Sequence, residues 1–91
     1  MATTEQRWEV LLHRRAERVL RRLPRNSLQR IDRAIKALAA NPRPPGCRKL
    51  TGHENLYRIR VGDWRISYAV EDDRLIVLVL EVAPRGGAYR F

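Results

Sequence analysis

A chain of 91 residues has room for one hydrophobic core, so the sequence predicts a single domain spanning 1–91. A hydrophobic share of 44% excludes wholesale disorder. Lys+Arg 19 against Asp+Glu 10 leave a net charge of +9, which points to a polyanionic partner: RNA, DNA, an acidic protein or a membrane surface. All but Lys36 and Lys49 of those cations are arginines. Arginine forks onto phosphate and stacks on bases in ways that lysine cannot, although a GC-rich coding sequence would give the same bias.

The lone Cys47 excludes an internal disulfide and a cysteine-based metal cluster. No apolar run reaches the ~18 residues of a membrane span. Glu5, Arg7 and Glu9 stand where a signal peptide would be apolar, so the expected location is cytoplasmic, with no membrane partner. The charge is uneven: residues 1–50 carry the whole excess of +9, and residues 51–91 balance to zero.

In chain order, alternation through Trp8, Val10 and Leu12 predicts a short first strand. A helix follows over about residues 14–23, with Leu12, Ala16, Val19, Leu20 and Leu23 clustered at 100° per residue. Arg14, Arg18, Arg21 and Arg25 form the opposite stripe, and Pro24 ends the helix. Asn26-Ser27-Leu28-Gln29 has the spacing of a capping box. Leu28, Ile31, Ile35 and Leu38 carry a second helix to about Asn41, where Asn41-Pro42 stops it and Pro44-Pro45-Gly46 forms a loop.

From residue 55 the period becomes two. Leu56–Val61, Trp64–Val70 and Leu75–Ala83 read as strands, joined by turns at Gly62-Asp63 and Glu71-Asp72-Asp73. The third is apolar at nearly every position, as a central strand is. The predicted fold class is α+β: a short N-terminal strand, a two-helix hairpin, then a three-stranded antiparallel meander.

The first hairpin carries the chemistry. A two-residue turn with Gly at its first central position pairs Val61 with Trp64, Arg60 with Arg65, Ile59 with Ile66 and Arg58 with Ser67. Tyr57, Ile59, Val61, Trp64, Ile66 and Tyr68 then share the packed face, and Arg58, Arg60 and Arg65 the other. Like charges directly opposite on a sheet repel. The cluster is an anion site unless Glu54, Asp63 or Glu81 neutralises it or the arginines splay into water. After Arg85, Gly86-Gly87 allow the chain to bend Tyr89 back toward the same face. Tyr89 there would stack on a base or move a proton, or simply pack on the sheet. His13 and His53 lack a third ligand at metal spacing, so no metal and no cofactor is expected.

The ordered set Lys49-Leu50-Thr51-Gly52, Leu56-Tyr57-Arg58-Ile59-Arg60-Val61-Gly62-Asp63-Trp64-Arg65-Ile66-Ser67-Tyr68, Val77–Val82, Pro84-Arg85 and Tyr89-Arg90 resembles the RelE/ParE toxin superfamily, and within it the RelE-like messenger-RNA interferases. The resemblance covers nearly the whole chain. It implies a compact toxin of a type II toxin–antitoxin module that cuts mRNA in the ribosomal A site without metal. The 2′-hydroxyl attacks its own 3′-phosphate, leaving a 2′,3′-cyclic phosphate and a 5′-hydroxyl.

The resemblance carries catalytic roles onto Arg58, Arg60, Arg65, Arg85 and Tyr89. RNA contacts would come from Lys49 and from the stripe Arg14, Arg18, Arg21 and Arg25. The implied partners are a cognate acidic antitoxin, the ribosome with its rRNA, and mRNA. Two departures stand out: arginines replace the family's common lysines at 58 and 60, and Pro84 replaces a common His or Lys. Arginine stays protonated and cannot act as a general base, which leaves Tyr89 as the proton acceptor and implies activity below the family's norm. The alternatives are a ParE-like toxin that inhibits gyrase by protein contact and a non-catalytic RNA- or ribosome-binding module.

Overall fold

The computed structural model describes residues 7–84. Its elements run β1 (Glu9–Leu12), α1 (Arg14–Leu20), α2 (Arg25–Ala37), β2 (Arg48–Lys49), β3 (Leu56–Val61), β4 (Trp64–Glu71) and β5 (Ile76–Pro84). The strands form one sheet in the order β1-β5-β4-β3-β2. β1 runs parallel to β5, and the other pairings are antiparallel. The α+β class and the meander match the sequence reading. The five-stranded mixed sheet does not: β2 is an added strand, and β1 joins the far edge of the meander.

Both helices lie on one face of the sheet. Ala16 of α1 and Ile31 and Ile35 of α2 are buried against Ile59, Ile66, Tyr68, Val70, Val77, Val79 and Val82, with Leu38 beside them. The alternation that points Ile59, Ile66 and Tyr68 inward is the expected one. A bulge refines it. Ser67 faces Glu81 and Tyr68 faces Val79, so Leu80 has no opposite number. The inserted residue turns both Val79 and Val82 toward the helices although they stand three apart.

The helices depart from expectation at their ends. α1 stops at Leu20, and the chain passes through a turn to Pro24. His13 caps α1, its Nδ1 accepting from the Arg15 amide at 3.0 Å. The Asn26–Gln29 capping box does not form. α2 begins two residues earlier behind Pro24, whose extended backbone is its N-cap with no side-chain cap bond and whose carbonyl accepts from Leu28. Proline's fixed φ sets this boundary, leaving Asn26 inside the first turn. Leu12 and Leu28, both expected on core faces, are exposed at 41% and 36%. Leu12 belongs to the edge strand β1, and Leu28 lies at the exposed start of α2.

The loop between α2 and β2 is clamped to the sheet. The buried Tyr68 hydroxyl donates to the Pro42 carbonyl at 2.7 Å. Arg43 grips both carboxylate oxygens of Asp72, at 3.2 and 2.9 Å, and its Nε donates to the Tyr57 hydroxyl at 3.0 Å. Its guanidinium also lies 5.0 Å from the Tyr57 ring centroid, and Tyr57 stacks on Tyr68 at 6.1 Å. Nothing in the local sequence signals this network, because Arg43 and Asp72 are 29 residues apart.

Candidate anion-binding site

The β3–β4 hairpin fixes the site. Gly62, at φ 61°, opens the two-residue turn, a backbone state that suits glycine and matches the right-handed strand twist. The register is the expected one: Val61 faces Trp64, Arg60 faces Arg65, Ile59 faces Ile66 and Arg58 faces Ser67. Arg58, Arg60 and Arg65 therefore share the face opposite the helices. Arg58 and Arg65 are half-buried and Arg60 is exposed.

These arginines border a cleft of about 350 Å³ lined by Gly46, Arg48, Arg58, Ile59, Arg60 and Arg65. Arg48 is the residue that sequence reading missed. It enters through β2, whose register sets Arg48 beside Arg58 and Lys49 beside Tyr57. Neighbours across a ladder share a face, so Arg48 joins the arginine side. Lys49, assigned to RNA by resemblance, lies on the other side and borders a separate depression with His53 and Glu54. A two-residue strand has too little alternation to announce itself.

Among the described residues, no carboxylate lines the cleft. Glu54 borders the other depression, and Asp63 sits exposed at the hairpin tip. Glu81 is on the arginine face, in the row Arg58–Ser67–Glu81. Glu81 Oε1 and Ser67 Oγ are buried without a hydrogen-bond partner among the described residues. Gathering four guanidinium groups around one opening raises the local potential and favours an anion. Arginine is suited to it, offering a fixed fork of donors to phosphate oxygens.

The expected stripe on the first helix divides between two elements. Arg14 and Arg18 lie on α1, Arg21 is its C-cap and Arg25 opens α2. All four are exposed, and Arg21 reaches Glu17 at 3.9 Å. Arg85 and Tyr89 lie outside the described residues. Among those described, no group of three or more His, Cys, Asp or Glu side chains is placed to hold a metal ion. Cys47 is half-buried and packs against the core.

The titration shifts belong to the clamp behind the cleft. Arg43's bidentate bond holds the Asp72 carboxyl below its ordinary value, and Asp72, then Tyr57, hold the Arg43 guanidinium above its own. Burial pushes the Tyr68 phenol up, so its hydroxyl stays a donor through neutral pH.

Comparison with known proteins agrees with this fold. A profile described as the ParE toxin of type II toxin-antitoxin system, parDE, matches residues 10–89. A candidate toxin RelE1 of Methanocaldococcus jannaschii is 31% identical over 87 residues, covering 92% of this chain and 97% of that protein. The archaeal RelE–RelB complex from Pyrococcus horikoshii contains a chain that superposes with a TM-score of 0.79 at 30% identity, over 89% of this chain and 98% of that one. The RelBE2 toxin–antitoxin complex of Mycobacterium tuberculosis gives 0.78 at 22% identity, over 94% and 100%, a likeness of fold.

Proposed function

This chain belongs to the ParE toxin family of type II toxin–antitoxin systems, and we propose that it acts there as a ribosome-dependent endoribonuclease that cuts mRNA in the A site. The observation that carries the reading is the cleft bordered by Arg48, Arg58, Arg60 and Arg65 on the open face of the β3–β4 hairpin. A protein-directed toxin of the gyrase-inhibiting kind has no need for four forked donors around one opening. A phosphodiester passing through a phosphorane does.

In the proposed reaction the ribose 2′-oxygen attacks the adjacent 3′-phosphorus as the 2′-proton leaves to a base. The bond from phosphorus to the 5′-oxygen breaks in line, and that oxygen takes up a proton. The products are a 2′,3′-cyclic phosphate and a 5′-hydroxyl. The nucleophile is internal to the substrate, so the protein's work is orientation, charge stabilisation and proton movement. Arg60 and Arg65, paired across the hairpin, hold the non-bridging oxygens, with Arg58 beside them. Arginine is too basic to take the 2′-proton. That step falls to Tyr89 as its phenolate, while Arg85 steadies the leaving 5′-oxygen, which takes its proton from water.

Outside the cleft, Arg14, Arg18, Arg21 and Arg25 supply a basic flank for rRNA phosphates, which makes ribosome association weaken as salt rises. The RelE chains of the archaeal and mycobacterial structures are held in complexes with an antitoxin. A cognate acidic antitoxin that covers part of the +9 surface is the corresponding partner here.

The test is to supply translating ribosomes with an mRNA carrying a single 2′-deoxy nucleotide at the cut position. The proposal requires cleavage of the all-ribose message to a cyclic phosphate end and no cleavage at the deoxy position. Cleavage that survives the 2′-deoxy substitution overturns the internal-nucleophile mechanism. Intact mRNA with inhibited gyrase overturns the endoribonuclease reading.

A further inference from the structure

We infer that Arg48 builds a second phosphate subsite, one nucleotide along the strand from the phosphate held by Arg60 and Arg65. This inference rests on the reading of the chain as an RNA-cleaving toxin and extends it to how far along the RNA the cleft reaches.

The register supplies the geometry. Two rows of paired arginines cross the open face: Arg48 with Arg58, and Arg60 with Arg65. The rows are two residues apart along β3, about 6.7 Å at the usual rise of a strand. That is on the order of the separation of successive phosphates in an extended single strand of RNA. A strand of RNA laid along β3 would set one phosphate against Arg60 and Arg65 and bring the next to Arg48, with Arg58 between the two.

Ile59 lies between the rows on β3. Gly46 is part of the cleft lining, at φ 90°, and the space around its Cα is open, with nothing within 4 Å of where a Cβ would stand. The bare backbone at Gly46 leaves that part of the cleft open to a sugar. Arg48 itself is exposed, yet the chain that presents it is fixed on both sides. Tyr68 and Arg43 anchor the loop at Pro42 and Arg43, the Cys47 amide bonds the Pro44 carbonyl at 3.1 Å, and β2 pairs with β3. A guanidinium on a held backbone loses less freedom on binding than one on a loose loop.

The experiment is a cycle between Arg48 and the RNA. Ribosome-programmed mRNAs carry one neutral methylphosphonate, placed either one nucleotide 5′ or one nucleotide 3′ of the cut, and are cleaved by the wild-type protein, Arg48→Ala and Arg48→Lys. For the wild type, neutralising one of these two positions should slow cleavage at sub-saturating protein by roughly ten- to a hundredfold, the range for losing a charge-assisted hydrogen bond. Arg48→Ala should show the same loss on the native message and no further loss on the modified one. Arg48→Lys should recover part of it, because it keeps the charge and gives up the fork.

Equal, additive losses at both flanking positions in all three proteins overturn the inference while leaving the endoribonuclease reading intact. No cleavage of native message by the wild type overturns both. Arg48 is exposed and packs in no core, so its variants should melt with the wild type. An unmoved melting temperature with a moved coupling separates phosphate binding from a structural role.

Discussion

Replacing Tyr68 with phenylalanine tests the clamp that holds the loop behind the cleft. Tyr68 is fully buried, and its hydroxyl donates to the carbonyl of the buried Pro42 at 2.7 Å. Tyr68→Phe removes the donor and strands the acceptor, a loss worth about 1–3 kcal/mol. In a domain of this size each kcal/mol lowers the melting temperature by about 4–8 °C, so a loss near ~2 kcal/mol is a drop of about 8–16 °C.

Because burial raises the folded phenol, the unfolded chain releases this proton first, near pH 10. The stabilisation from a neutral Tyr68 is therefore complete below pH 10 and declines as pH rises further. The variant lacks this titration, and every other group is common to both proteins. The stability gap measured by urea unfolding should be constant from pH 7 to 9. Above pH 10 it should narrow by at most about 1.4 kcal/mol per pH unit. A variant as stable as the wild type at neutral pH, or a gap that stays constant to pH 11, would refute the buried bond.

Asp72→Asn leaves Arg43 without its bidentate partner. Since Arg43 lowers the Asp72 carboxyl, the ion pair's contribution is present above about pH 4, where the unfolded carboxyl ionises, and fades as pH falls below that. Urea midpoints of the two proteins should therefore differ at pH 6, with the wild type the more stable, and draw together as the pH falls below about 4. Gly62→Ala forces an alanine to φ 61° and brings its Cβ to 3.0 Å of the Arg30 guanidinium. The backbone dominates that cost, about 1–2 kcal/mol, because the arginine tip can move aside; urea unfolding reads it, and Gly62→Asn should lose less.

The hairpin and its arginine face were legible in the sequence because one local feature decides them. Gly62-Asp63 sets the turn, the turn sets the register, and the register sets which side each arginine takes. The central place of β5 was legible for a similar reason, its apolar run. What escaped depends on long-range pairing. β1 lies parallel to β5 across more than sixty residues, and parallel partners leave no turn between them to read. Arg48 reached the cleft through a two-residue strand, and Arg43 found Asp72 through the tertiary fold alone. The capping box failed in favour of Pro24, whose ring constrains the backbone more strongly than an Asn–Gln pair can redirect it.

The most direct test of the account is primer extension on mRNA from translating ribosomes exposed to the wild-type protein, Arg65→Ala or Tyr89→Phe. The account predicts discrete A-site cuts for the wild type. It predicts a loss of about a hundred- to a thousandfold in cleavage rate for Arg65→Ala, as for other donors that stabilise transition-state charge, and a clear loss for Tyr89→Phe. Full-length message in the presence of the wild-type protein, or cuts of equal strength in all three, would contradict it.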